Sequence, residues 1–149
     1  MTKVAKSEWY PGKKLIITQL SGDIKEADVV LWEKSLQDTL AQIGDHGSFK
    51  IFINLHGFTA TDFATHKQFR GIIPETLARY GWKVGYVDLF VEAAKMRYTN
   101  TRGITCVAAA HTHQDALKID AYEQRFGREN EHFFTDPQKA YEWIDSVDL

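Results

Sequence analysis

The chain has little of what marks a disulfide-stabilised or nucleic-acid-binding protein. Its 149 residues include one cysteine, Cys106, and the 18 basic side chains nearly balance the 20 acidic ones, for a net charge of -2. A single cysteine cannot form an internal disulfide, and a free thiol within an apolar run fits a reducing compartment. Without a basic excess there is no field to attract a polyanion, so we expect no nucleic acid among the partners.

Long apolar runs are also missing. No run approaches the roughly 20 residues that span a bilayer, and residues 1–8 hold too few apolar positions for a signal peptide. We therefore expect a cytoplasmic protein without a membrane span. Apolar residues still make up 44% of the chain. That fraction, at this length, predicts one domain over residues 1–149 with a sizeable core.

Apolar periodicity predicts strands that alternate with helices after an opening hairpin. Pro11 and Gly12 give a turn signal between strands predicted at 8–10 and 14–20. The further predicted elements are helices over 25–43, 63–80, 92–98, 114–126 and from Pro137 onward, and strands over 50–55, 83–90, 104–110 and 131–134. Pro74 should kink or divide the second of these helices. This order predicts an α/β fold, a mixed sheet with helices packed against it.

Residues 104–110 predict a strand in the interior of the sheet. Thr105 is the one polar side chain in the run, as expected of a strand that helices cover on both sides, so Val107 and Ala109 should be almost inaccessible. Cys106 lies away from the end of this strand. We therefore do not expect it to act as a nucleophile.

Polar residues gather directly after this strand. His111, His113 and Asp115 follow residue 110 at once, and ligands of open α/β sheets collect at the carboxyl ends of strands. The sequence therefore predicts a binding site here. The plain alternative is structural, with Thr112 or His113 capping the next helix and the imidazoles bonded to backbone or water.

The same residues raise the possibility of a metal site. Residues two apart in a strand share a face, so His111 and His113 could converge on one ion, with Asp115 nearby. Imidazole and carboxylate are ordinary zinc ligands, and His56 or His132 could supply a third ligand. A small metal-dependent enzyme is therefore one alternative for the function.

A second polar stretch follows the strand predicted at 50–55. It contains His56, Thr59, Thr61 and Asp62. Thr61 or Asp62 can cap the helix that begins next, and the free N–H groups of a helix start bind anions, so a phosphothreonine or an anionic partner could be held here. Plain capping is the alternative.

A third group of candidates precedes the interior strand. Lys95, Arg97 and Arg102 could bind an acidic ligand or a phosphate, or could form a solvated basic face.

Aromatic residues make up 13% of the chain. They could line a pocket for a small apolar molecule, or they could simply fill the core.

The order of elements over most of the chain resembles the STAS, or SpoIIAA-like, fold of anti-sigma-factor antagonists. The C-terminal third carries most of the likeness. Its parts are the apolar strand at 104–110, the helix at 114–126, the paired Phe133 and Phe134, and a capped helix that contains Ala140 and Trp143. The opening strand, which runs into Gly22 and then a helix, is similar as well.

This resemblance implies a non-catalytic regulatory or ligand-binding domain, with a protein partner or a small ligand and no cofactor. In regulatory STAS proteins a phosphorylatable serine follows the central strand. The matching stretch here, residues 55–62, offers Thr59 and Thr61 but no Asp-Ser-Ser motif. A carrier of a small apolar molecule is the other alternative that the sequence leaves open.

Overall fold

The computed structural model describes residues 2–149, which form a six-stranded, mostly parallel sheet with helices against it. The strands are β1 (Val4–Tyr10), β2 (Leu15–Ile24), β3 (Ser48–Asn54), β4 (Phe58–Ala60), β5 (Thr105–Thr112) and β6 (Glu131–Phe134). The α-helices in these residues are α1 (Glu26–Leu40), α2 (Phe63–Arg70), α3 (Ile72–Ala78), α4 (Ala116–Phe126) and α5 (Pro137–Ser146). The sheet order is β1-β2-β3-β5-β6, with β4 paired to the end of β2. β1 and β2 are antiparallel and the other pairs are parallel, which confirms the predicted mixed α/β sheet.

Helices cover both faces of this sheet, because successive strand residues point to opposite sides. On β2, Ile16 belongs to a large buried cluster with Trp32 of α1 and Leu77 of α3. The adjacent Leu15 belongs to a smaller cluster with Ile144 of α5. The interior strands are therefore buried on both faces, which explains their continuous apolar sequences.

The C-terminal end of α1 is closed by Arg102. Its guanidinium donates to the carbonyl oxygens of Leu40 at 2.9 Å and Ile43 at 2.7 Å, and it pairs with Asp45 at 2.9 Å. Carbonyls at a helix end have no partner within the helix, so this side chain satisfies groups that would otherwise need water. Arg102 thus serves the fold and is not part of a free basic face.

Within residues 2–149, no helix combines the length and apolar character needed to cross a bilayer.

The helix predicted over residues 63–80 is divided, but at Gly71 and not at Pro74. Gly71 caps the end of α2 and stands before the first residue of α3. Pro74 is the third residue of α3, where a backbone N–H has no helical partner to lose. The proline is therefore tolerated inside the helix, and the prediction placed the break three residues too late.

The strand predicted over residues 83–90 is wrong. The chain instead makes 3-10 turns at Val87–Leu89, Val91–Lys95 and Thr101–Gly103. The N–H of Gly85 donates to a carboxylate oxygen of Glu131, and Arg128 donates to the carbonyl of Lys83, so distant side chains satisfy backbone groups that a strand would pair. Residues 84–91, which carry Tyr86 and Phe90, are named the 84–91 segment below.

β5 runs two residues further than predicted and contains a bulge. Phe49 of β3 lies opposite Cys106, but the next residue, Lys50, lies opposite Ala108. Val107 is therefore the extra residue of the bulge. It is partly exposed, whereas Ala109 is fully buried, so the expected inaccessibility of Val107 is wrong.

Candidate functional site

A cavity of about 120 Å³ lies at the carboxyl ends of β5 and β6, between α2 and α4. Its lining is largely aromatic and aliphatic, with a minority of polar and basic groups. The lining residues are Leu55, His66, Phe69, Arg70, Ile73, Tyr86, Phe90, His111, Thr112, His113, Lys118, Ile119, Tyr122 and Phe133. Two of the predicted site residues, His111 and His113, are brought together in this lining.

Aromatic rings form one wall of the cavity. His111 of β5 and Phe133 of β6 are register partners, and their rings stack with centroids 4.5 Å apart and planes at 10°. Tyr86 meets both rings edge-on, at 5.6 Å and 6.1 Å, and Tyr122 lies 5.7 Å from Phe133. Burial, with a smaller effect from the charge of Glu131, raises the pKa of the Tyr86 phenol. The phenol therefore stays protonated and can donate a hydrogen bond.

The carboxylate of Glu131 joins three groups behind this wall, and its residue is 0% exposed. One oxygen bonds Nε2 of His111 at 2.8 Å; the other accepts from the Arg128 guanidinium at 2.9 Å and from the N–H of Gly85 at 3.0 Å. Because a carboxylate only accepts, Nε2 of His111 carries the proton in this pair. Glu131 was not among the predicted site residues, although a charged residue at the start of the short strand that carries Phe133 and Phe134 was a signal for it.

The remaining members of the first polar stretch have separate tasks. His113 is half-buried and its Nδ1 accepts from the N–H of Asp115 at 3.0 Å. The carboxylate of Asp115 accepts from the N–H of Lys118 at 3.1 Å and so caps α4. The hydroxyl of Thr112 donates to Asn54 at 2.7 Å. The helix cap is therefore Asp115, and neither Thr112 nor His113 has that role.

The second polar stretch is built into the fold. It contains the short strand β4, which the sequence did not predict. The carboxylate of Asp62 accepts from the N–H of Thr65 at 2.8 Å and caps α2, and these hydrogen bonds lower the pKa of Asp62. The hydroxyl of Thr61 donates to the carbonyl of Ile24 at 2.7 Å, so it stabilises the pairing of β4 with β2 and does not cap the helix.

The loop before β4 is fastened to the start of α4. The side chain of Gln114 accepts from the N–H of Gly57 and donates to the carbonyl of Phe58, both at 2.8 Å. Thr59 is exposed. Of the described residues, His56, Thr59, Thr61 and Asp62 all lie outside the lining of the 120 Å³ cavity. The two predicted polar stretches are thus neighbours in the fold, but only the stretch with His111 and His113 contributes predicted site residues to the cavity lining.

Basic groups surround one side of the cavity. Burial lowers the pKa of His66, and the charges of Lys118 and Arg70 lower it further. Arg70 pairs with Glu92 at 3.3 Å and lies over the ring of Phe90. Its Nε is buried and has no hydrogen-bond partner within residues 2–149. The cavity therefore combines an aromatic wall with a cationic side.

Among the described residues, side chains that could bind a metal ion are not brought together as the aromatic and basic side chains of the cavity are. Across residues 2–149 no three or more histidine, cysteine, aspartate or glutamate side chains are grouped as a metal ion would need. Nε2 of His111 is bonded to Glu131, and Asp115 is the cap of α4. Burial raises the pKa of the Cys106 thiol, so this sulfur stays protonated, in line with the expectation that it is not a nucleophile.

A larger cavity, of about 670 Å³, lies apart from this site. Lys95 and Arg97 line it together with Arg79 and the acidic Glu75 and Glu92. Arg79 and Glu75 pair at 3.4 Å. Because acidic and basic side chains both line it, this surface fits the predicted solvated face better than a site for an anion.

No protein-family model, curated protein or solved structure matches the chain. The position, lining and charge of the 120 Å³ cavity are therefore the observations that bear most directly on function.

Proposed function

We propose that this protein is a non-catalytic, STAS-like ligand-binding domain, and that its ligand is a small, largely apolar molecule held in the 120 Å³ cavity. The observation that carries the proposal is an aromatic cavity at the carboxyl ends of adjacent parallel strands. Ligands of open α/β sheets bind at such edges. A mostly apolar pocket with a few convergent polar groups is also the usual form of a small-molecule site.

The size of the cavity limits the ligand. A dry cavity of about 150 Å³ takes up benzene, and the volume here is about 120 Å³. A single ring or a short branched chain suits this space. The stacked rings of His111 and Phe133 offer such a molecule a flat wall.

A binding role fits the present use of the chemically capable groups. His111 is fixed by Glu131, Asp115 caps a helix, and Cys106 is a buried thiol. Each of these side chains already has a structural partner or position. Ligand-dependent regulation, as the STAS resemblance implies, would then work by occupancy of the cavity.

Filling the cavity with protein should abolish binding. Leu55 lines the cavity, is partly exposed and packs against the edge of the main core, so Leu55→Trp adds a ring to that space. The matched control is Leu31→Trp, which adds the same ring at a residue of α1 that is 61% exposed and outside the cavity lining. Both variants and the wild type are tested by thermal shift with toluene, benzyl alcohol, benzoate and benzylamine, and by native mass spectrometry of the freshly purified protein.

We expect at least one of these probes to raise the melting temperature of the wild type and of Leu31→Trp, but not of Leu55→Trp. Saturation to 100 times Kd stabilises a protein by about 2.7 kcal/mol, a shift of roughly 5 °C or more for a chain of this size. If none of the four probes shifts the wild type, and native mass spectra show no retained small molecule, the proposal is wrong.

A further inference from the structure

We infer that the ligand of this cavity carries an anionic group, and that it is a small aromatic or apolar carboxylic acid. This inference rests on the proposed function, because it names the chemical class of the ligand at the same site. Its basis is the composition of the lining. Arg70, Lys118, His66 and His113 contribute to it, and among the residues that the structure describes no aspartate or glutamate does.

The cationic side chains of Arg70 and Lys118 are only partly neutralised by the protein, although burial lowers the pKa of Lys118 and the charge of Asp115 opposes that change. Arg70 uses one terminal nitrogen for Glu92, at 3.3 Å, while its Nε and the second carboxylate oxygen of Glu92 are both buried without a hydrogen-bond partner in the described chain. Lys118 forms no ion pair within residues 2–149, and its amino group lies 5.6 Å from the ring centroid of Tyr122. A carboxylate in the cavity could accept from both cations, and charge-assisted hydrogen bonds of this kind are the strong ones.

Apolar side chains of the same lining are suited to the rest of such a molecule. Tyr122 and Phe133 meet at 5.7 Å in an edge-to-face arrangement, and Ile119 is buried beside them. A ring or short hydrocarbon chain would pack against these side chains while its carboxylate stayed near the cations. The lining thus offers contacts both to the apolar part and to the carboxylate of an organic acid.

The imidazoles provide a second, independent readout. The pKa of His66 is lowered by burial and then by neighbouring cations; that of His113 is lowered by burial and Lys118, and Asp115 opposes the change. The charged and titratable groups that face these two rings are Arg70 on α2, Lys118 and Asp115 at the start of α4, and His56 in the loop before β4. An anion bound among them would raise both pKa values. By linkage, it should bind more tightly as the pH falls from about 7.5 to about 5.5.

The test compares three probes of one shape and different charge, namely benzoate, benzyl alcohol and benzylamine. Affinities are measured by calorimetry or by NMR titration on the whole chain. The variants are Arg70→Gln and Lys118→Gln, and the control is Arg79→Gln, which removes a cation paired with Glu75 outside this cavity. Lys118 is an exposed helix residue, so its variant keeps the test valid if Arg70→Gln does not fold.

We expect benzoate to bind the wild type about tenfold more tightly than benzyl alcohol, with benzylamine the weakest. Each cavity variant should weaken benzoate by about five- to tenfold and change benzyl alcohol by less than about twofold, and Arg79→Gln should behave as the wild type. The imidazole pKa values of His66 and His113, followed by NMR, should rise when benzoate is added.

Two results would overturn the inference and leave the proposed function in place. One is equal or tighter binding of benzyl alcohol than of benzoate by the wild type. The other is a preference for benzoate that persists unchanged in both Arg70→Gln and Lys118→Gln. Failure of all three probes and of toluene to bind, together with native mass spectra that show no retained small molecule, would instead refute the proposed function itself.

Discussion

At the scale of single residues, the buried carboxylate of Glu131 connects parts of the molecule that are far apart in sequence. It holds the ring of His111 in the cavity wall, the guanidinium of Arg128, and the N–H of Gly85 at the start of the 84–91 segment. A buried acceptor with three donors is stable only while all of them are present. Loss of the carboxylate should therefore loosen both the His111 ring in the cavity wall and the 84–91 segment at Gly85.

Glu131→Ala should lower the free energy of unfolding by about 3 kcal/mol, since it leaves buried donors without an acceptor. Glu131→Gln should cost roughly half as much, because its amide oxygen still accepts from Gly85 and Arg128. Urea unfolding measures both. The neighbouring Glu129→Ala, at an exposed position, is the control and should stay within about 0.5 kcal/mol of the wild type. A Glu131→Ala protein as stable as this control would show that the network contributes nothing.

The candidate site could be predicted from the sequence only in part. His111 and His113 stand out because they follow an apolar strand, and both line the cavity. The roles of Asp62 and Asp115 could not be separated from ligand binding, since a capping carboxylate and a binding one look alike in sequence. Tyr86 and Arg70 carry no local signal, because only the tertiary fold brings them to the end of β5.

At the scale of elements, helices with a continuous apolar stripe and strands with a buried run are predictable from local pattern. The α2–α3 break was misplaced because the proline is a stronger signal in sequence than Gly71. The strand predicted at 83–90 failed for a different reason: its backbone is bonded to side chains of β6 and the preceding loop. No short window of sequence contains that information.

Gly71→Ala should stabilise the junction between α2 and α3. Gly71 has a helical backbone, with φ -87° and ψ -13°, and a Cβ there would meet no atom within 4 Å. The substitution removes freedom from the unfolded chain at no steric cost, so the free energy of unfolding should rise by about 0.4–1 kcal/mol.

The matched comparison is Gly22→Ala, at the bend of β2. Gly22 has φ +99°, and a Cβ would approach the backbone of Lys3 at 3.1 Å. This variant should lose about 1–2 kcal/mol. Melting curves of the two variants should therefore move in opposite directions, and a Gly71→Ala protein that melts below the wild type would contradict the expectation.

At the scale of the whole molecule, burial of two imidazoles in the cavity lining makes folding depend on pH, and the neighbouring cations add to the effect. Folding lowers the pKa of both His66 and His113, so the unfolded chain binds protons more readily than the folded one. The folded state therefore keeps its full stability above about pH 6.5, where both rings are neutral, and loses part of it as the pH falls below that value and the rings take up protons. The other shifted acidic groups, such as Asp28 and Asp62, have lowered pKa values and titrate below this window.

The free energy of unfolding should therefore decrease between about pH 7.5 and about pH 5.5 in the absence of ligand. The double variant His66→Gln, His113→Gln should flatten this profile. His46→Asn, on an exposed loop with φ +64° that asparagine tolerates, should keep the wild-type slope. Urea titrations at several pH values measure all three proteins, and an unchanged slope in the double variant would show that other groups control this range.

The way the 84–91 segment is attached also determines how the cavity exchanges its contents. Tyr86 and Phe90 close one side of the cavity. Within residues 2–149 the segment joins no strand: two side-chain hydrogen bonds hold the backbone at Gly85 and the adjoining Lys83, and Val84 and Val87, each 1% exposed, anchor the segment in the core. Releasing those contacts leaves every ladder of the sheet intact. For a ligand of the proposed kind, entry and exit would require local opening of this segment, so its residence time would depend on Glu131, on Arg128 and on the packing of Val84 and Val87.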